Sequence, residues 1–279
     1  IDAKAKRDLS LESAEQIANM MVMDPYPGYE GKGFSMPCRN VLPKPHQKPH
    51  PPMWLACTNR KTIEVAARNG LGALAFTFVD PEEARTWADI YYSIIKSEEC
   101  VPLGHRVNAN IALVSGFSLH ENPEEARRRG NDGFAFFRYA INALVANDIK
   151  PGRTTLWDEY EALRDRDLPT IAATGIGTPE DFTRHIREFQ DVGIDQVIFL
   201  QQGGKNRHEH ICESLQLFGD KVLPEFVADR AEREARKAEE LAPYIEAALA
   251  RKRKMPELRD DEIPVVYASR ERETFYHKD

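Results

Sequence analysis

Cysteine is scarce in this chain and nowhere clustered. Its four copies, Cys38, Cys57, Cys100 and Cys212, are far apart in 279 residues and form no CxxC pair. Neither a zinc site nor a disulfide framework is expected, and the thiols read as free ones in a reducing cytoplasm. Long apolar runs are also missing: none approaches the roughly 20 residues needed to cross a bilayer. The opening, IDAKAKRDLSLESAEQ, has no apolar stretch, so it is not a signal peptide, and it lacks an initiator methionine. It reads as the start of a fragment or processed chain. Basic excess is lacking as well, with a net charge of −7, which argues against a nucleic-acid partner. No GxSxG, Walker or Rossmann glycine pattern occurs. The eight histidines are scattered, and no metal site is expected from them.

What is present is ordinary globular material. Hydrophobic residues make up 42% and charged residues 30%. The length suits one large domain or two small ones. A helix is predicted over 10–23 with Ser10 as its cap, followed by a Pro- and Gly-rich turn and hairpin. Short apolar strands at 53–57, 72–78, 106–117, 171–177 and 195–202 then alternate with helices. Helix starts are marked by Asp80-Pro81, Asn122-Pro123 and Thr178-Pro179. Strands that are apolar throughout read as parallel and covered on both faces. The fold class is therefore α/β, with too few strands for a complete eight-stranded barrel. From Ala228 the chain is charge-rich and helical, and its end reads as extended or disordered, with a possible strand at IPVVYA. The tail reads as a solvated helix, or else as a dimer contact or a clasp over the outer surface. This divides the chain into 1–227 and 228–279.

The run from Pro43 to Gly70 carries the clearest chemistry. A proline-rich approach leads into the strand MWLAC, and a helix opens on Thr58-Asn59-Arg60-Lys61-Thr62. A helix N-terminus presents unpaired N–H groups and partial positive charge to an anion. No acid intervenes before Glu64, so a phosphate would be at home there. Simple helix capping by Thr58 or Asn59 is the competing reading. Gln201 to Arg207, basic and glycine-containing, is a second candidate wall. Trp54, Phe76 and Phe78 could line a pocket or simply fill the core.

PKPHQKPHPPMWLA resembles the P-x-P-x-Q-x-P-x-PP approach of the luciferase-like flavin monooxygenases. TIEVAARNGLGALAF, GIGTPEDF, the stretch Val192 to Val197 and SLQLFGDKVLPEF resemble later motifs of that family in the same order, so the likeness runs from about residue 10 to 227. The resemblance implies a (β/α)8 barrel of the TIM type, of which this chain would hold the C-terminal half. It implies reduced FMN at the C-terminal ends of the strands. The phosphate contacts would fall on Thr58, Asn59 and Thr62, and further flavin contacts on Phe76, Thr77 and Gln202. Thr58 stands where bacterial luciferases carry an acid. The implied reaction is oxygenation of a small organic substrate with O2, the flavin being reduced by NAD(P)H through a partner reductase. The family's residues near the reacting oxygen belong to the first half of the barrel, so no general acid, base or nucleophile is assigned. A deazaflavin-dependent oxidoreductase is the alternative within the same barrel. A non-catalytic half-barrel that pairs with a further segment or chain is another. A homodimer or hetero-oligomer in the cytoplasm, with no membrane and no nucleic acid, is expected.

Overall fold

The structure is a computed structural model that describes residues 2–76, 78–146, 155–163 and 175–265. Helix α1 (Ala3–Val22) is capped by Asp2, whose carboxylate accepts from the N–H groups of Lys4 and Ala5. Ser10, expected at the cap, therefore lies inside the helix: an earlier carboxylate satisfies the first-turn donors. Strands β1 (Tyr29–Glu30) and β2 (Ser35–Met36) form the predicted hairpin.

Four parallel strands make the main sheet: β3 (Trp54–Cys57), β4 (Gly72–Ala75), β5 (Ile111–Gly116) and, defined further below, the last strand. Helix α2 (Arg60–Arg68) joins β3 to β4 and ends at Asn69-Gly70, where Gly70 takes φ +64° to reverse the chain. Helix α3 (Pro81–Ile95) follows β4 with Asp80 as cap and Pro81 in its first turn. Both β4 and β5 are shorter than their apolar runs. Ala75 is the last residue of β4 because its partner β3 stops at Cys57. Ahead of β5, Asn108 donates its N–H to Gly70 O instead of entering a ladder.

Two residues beyond β5, β6 (Ser118–Leu119) pairs with β7 (Ile176–Gly177). The first part of the predicted 171–177 strand lies outside the described residues. Helix α4 (Pro123–Gly130) runs through a π-helical turn, Asn131–Ala135, into α5 (Phe136–Ala146), and α6 (Leu156–Leu163) packs beside it. Helix α7 (Pro179–Asp191), with a Thr178–Asp181 capping box, leads to β8 (Gln196–Leu200), the fourth strand of the sheet, which pairs with β5. Helix α8 (His208–Leu217) passes through a second π-helical turn, Phe218–Val222, into α9 (Leu223–Val227).

The sheet order is β3-β4-β5-β8. Among the described residues it does not close into a barrel, and β3 and β8 are its edges. Burial follows position. Every residue of β5 is buried, whereas Gln196 and Ile198 of β8 are exposed. The core lies between the sheet and α2, α3 and α7, around Ile63, Trp87, Tyr91, Ile111, Leu113 and Phe189. A smaller aromatic cluster, Phe117, Phe182, Phe199 and Phe218, sits under β6 and α7.

The charged segment after residue 228 is the long helix α10 (Arg230–Arg251). Leu241 and Ala248 are buried in the main core, with Ile245 and Leu249 packed against it. The helix is therefore a clasp and not a solvated rod. Lys237 bridges to Asn110 and Asp195, Lys96 pairs with Glu240, and Arg251 donates to the carbonyls of Ser97 and Cys100. Asn110 and Asp195 precede β5 and β8, which places α10 at the N-terminal ends of the strands. The strand expected at IPVVYA does not form over 263–265, and the rest of that segment lies outside the described residues.

Candidate functional site

The opposite end of the sheet, where the strands finish, gathers the residues singled out by sequence. β3 ends at Cys57, and the next residues are Thr58 and Asn59. Phe76 follows β4 and donates its N–H to Cys57 O at 2.9 Å, which places it beside that loop. Gln201 and Gln202 follow β8. Thr77 lies outside the described residues.

Asn59 caps α2, and Thr62 answers it. Asn59 Oδ1 accepts from Thr62 N–H at 3.1 Å, while Thr62 Oγ1 accepts from the N–H groups of Thr58 at 3.1 Å and Asn59 at 3.2 Å. The same three residues that sequence nominates for a phosphate thus knit the turn together. Beneath it, burial pushes the Cys57 thiol up to about 11, so this sulfur stays protonated. Arg60 does not face the turn: it forms a two-point ion pair with Glu83, at 2.9 and 2.5 Å, and Glu83 also accepts from Trp87 Nε1. The Arg60 guanidinium holds the Glu83 carboxyl below the usual range. Lys61 is exposed and has no carboxylate partner among the described residues.

Three helices, α2, α3 and α8, follow strands of the sheet directly, and α4 follows β5 by way of β6; of these four, α2 alone has no acid in its first turn. α3 carries Glu82 and Glu83, α4 carries Glu124 and Glu125, and α8 carries Glu209. Carboxylates already complement the dipoles of the other three. The N-terminus of α2 is the one among these four whose first turn brings no carboxylate of its own.

An aromatic wall stands across the mouth. Phe76, 45% exposed, meets Phe137 edge-on at 6.3 Å, and Phe78 meets Phe134 at 4.9 Å and Phe137 at 6.2 Å. Phe134 and Phe137 come from the π-helical turn and α5. The loop after β8 packs on the same turn: Lys205 N–H donates to Asp132 O, and a Cβ at Gly203 or Gly204 would lie 3.0 or 2.5 Å from the carbonyl of Gly133 or Asp132. Glycine is required there for backbone to approach backbone. Gln202 donates to Gly204 O at 3.2 Å, folded onto its own loop. Lys205 stands 4.1 Å over the Trp157 ring, a cation–π contact. The sequence reading missed the contribution of α5. Its one available signal was a run of phenylalanines, FAFF over 134–137, which reads equally as helix core.

Two cavities lie elsewhere. One, of about 320 Å³, is lined by α7 and includes Asp181, Arg184 and His185; the other, of about 340 Å³, opens between Leu119 and α8. No group of acids, histidines and cysteines fit to hold a metal occurs among the described residues, and no described helix is long and apolar enough to cross a membrane.

Solved structures place this architecture. Monooxygenase RslO1 from Streptomyces bottropensis superposes with TM-score 0.57 at 20% identity over 81% of this chain and 62% of that one. An F420-dependent secondary alcohol dehydrogenase gives 0.55 at 11% identity, over 80% and 62%. The coenzyme F420-dependent tetrahydromethanopterin reductase from Methanopyrus kandleri gives 0.53 at 18%, over 77% and 62%. At these identities the likeness establishes the fold, and the chain spans about three fifths of the length of each. No match is found among curated protein sequences. The sequence model of the luciferase-like monooxygenases matches residues 2–196, from the cap of α1 to the first residue of β8. That match covers most of the chain and includes the proline-rich approach to β3, together with the α2 turn and the β4 terminus at the mouth. The chain belongs to the luciferase-like monooxygenase family.

Proposed function

We propose that this chain serves a flavin-dependent oxidoreductase, holding the cofactor's phosphate at the α2 turn and its ring system near Phe76 and Phe137. The observation that carries the reading is the acid-free N-terminus of α2 at the end of a parallel strand, the position where α/β folds bind ligands. Thr58, Asn59, Thr62 and Lys61 would hold the phosphate, Phe76 and Thr77 would border the ring, and Gln202 would close the far side. Reduced FMN bound there would supply the reducing equivalents, and with O2 the oxygen atom, for oxygenation of an organic substrate. This chain's own part is to orient the cofactor and to keep water away from it. A separate reductase drawing on NAD(P)H would recharge the flavin. The outer edges of β3 and β8, unpaired among the described residues, favour association with a further segment or chain.

A deazaflavin-dependent hydride transfer is the second reading. It is favoured by the two F420-dependent structures, whose superposition is close to that of the monooxygenase. Titration separates the cases. FMN should bind at least tenfold more tightly than riboflavin, and Lys61→Glu should abolish that difference while leaving riboflavin unchanged. Equal binding of FMN and riboflavin by the parent protein would sink the phosphate assignment. Tight binding of a deazaflavin with no uptake of O2 would select the second reading.

A further inference from the structure

From Gly133 to Asn147 the chain carries one formally charged residue, Arg138. Residues three and four apart on a helix share a face. Phe134, Phe137, Arg138 and Ile141 therefore form one stripe of the α5 region, and Phe136 and Tyr139 another. The ring contacts settle the direction of each. Phe134 and Phe137 meet Phe78, and Phe137 also meets Phe76. Phe136 and Tyr139 instead meet Tyr160 of α6. Arg138 belongs to the stripe turned toward the strand ends.

Its environment is unusual within this protein. Arg60, Arg68, Arg129, Arg187 and Arg251 each find a carboxylate or carbonyl. Arg138 is half-buried, burial pushes its pKa below the ordinary arginine value, and no carboxylate among the described residues pairs with it. A desolvated charge without a counter-charge is costly. Groups of that kind concentrate where a ligand supplies the missing partner.

We propose that Arg138 is a further anion-binding residue at the strand ends, besides the α2 turn, receiving an oxyanion from a ligand that reaches the Phe76 and Phe137 side of the mouth. Guanidinium is suited to this role because its planar fork meets both oxygens of a carboxylate or phosphate. The oxyanion comes either from an acidic aromatic substrate or from the cofactor's phosphate. The inference rests on the strand ends being the ligand mouth, and does not depend on which cofactor occupies it.

The test uses the full chain with Arg138→Met and Arg138→Lys, and four probes: benzoate, benzamide, FMN and riboflavin. Affinities are read by calorimetry, and melting temperatures without ligand are recorded. If the substrate supplies the anion, R138M weakens benzoate at least tenfold, R138K restores part of it, and benzamide and FMN are unchanged. If the cofactor supplies it, FMN weakens at least tenfold and riboflavin does not. In both cases the unliganded R138M melts no lower than the parent, because an unpaired charge has been removed. The proposal is overturned if no anion loses affinity in R138M, or if R138M melts several degrees lower, which would mark Arg138 as structural. If the parent binds benzoate through Arg138 but no flavin, this assignment stands and the flavin reading falls.

Discussion

Asp195 joins three elements through one carboxylate. Its oxygens accept from Ile111 N–H at 2.8 Å, from Tyr92 OH at 2.5 Å and from the Lys237 ammonium. β5, α3 and α10 thus converge at the entrance to β8. Asp195→Ala leaves the Ile111 N–H without its acceptor and Lys237 without its counter-charge, and should cost about 3 kcal/mol. The midpoint of urea unfolding measures it; a change below about 1 kcal/mol would show that the three contacts contribute little. The α2 turn is the contrasting case. Asn59→Ala removes the acceptor for one first-turn N–H and should cost about 1 kcal/mol. Thr62→Val keeps the shape but strips the acceptor from two N–H groups, and should cost as much or more. Sequence was a good guide to the cap at this turn, and it read the same acid-free opening as an anion site. It could not separate the two roles, because the same oxygen and amide atoms serve either. Arg138 was legible only as an isolated cation in an apolar run; whether a described residue pairs with it depends on what the fold brings near.

At the scale of elements, local signals located the sheet and long-range pairing set its limits. The apolar runs behind β3, β4, β5 and β8 were all visible, yet β4 stops at Ala75, level with the end of β3, and β5 stops at Gly116, level with the end of β8, each short of its apolar run. Helix starts marked by Asp80-Pro81, Asn122-Pro123 and Thr178-Pro179 were legible because capping is a property of adjacent residues. The π-helical turns have no such local signature, and one of them carries the aromatic wall. α10 was the hardest to place, because its charge hides an apolar stripe of Leu241, Ile245, Ala248 and Leu249 at helical spacing. That stripe makes α10 a structural member. Leu241→Ala should cost about 2–4 kcal/mol, comparable to a mutation in the central core and far above the few tenths expected of a solvated helix. Thermal unfolding decides between these values. If α10 were dispensable, a chain ending at 228 would melt at the temperature of the full one.

For the whole molecule, acid stability follows from histidines held neutral at two places. Near the N-terminal ends of the strands, His50 Nε2 accepts from His105 N–H at 2.9 Å while Nδ1 lies 2.8 Å from Pro51 O, so Nδ1 carries the proton and the ring is neutral. His105 Nε2 meets Asn19 Oδ1 at 2.9 Å. Burial, helped by Lys252, His50 and Lys254, lowers His105 to about 4, and burial with Arg106 and Lys252 nearby lowers His50. Under α7, His185 Nε2 meets Ser115 Oγ at 2.8 Å, its Nδ1 has no partner among the described residues, and burial lowers it to about 4. Lowered histidine values favour the neutral folded form, whereas the unfolded chain takes up protons from about pH 6.5 downward. The unfolded state therefore binds more protons between about pH 6.5 and 4, and stability must fall as pH drops through that window. Each group contributes at most about 1.4 kcal/mol per pH unit. Carboxylates with lowered values, such as Glu83 and Asp181, add losses chiefly below that range. His185→Gln isolates one contribution, because glutamine can still meet Ser115 but cannot charge. The parent's melting temperature should fall steadily from pH 7 to 4.5, and the variant's should fall less steeply over the same interval. Parallel curves would mean that His185 ionises as freely in the folded protein as in the unfolded chain, and that its burial under α7 does not hold it neutral.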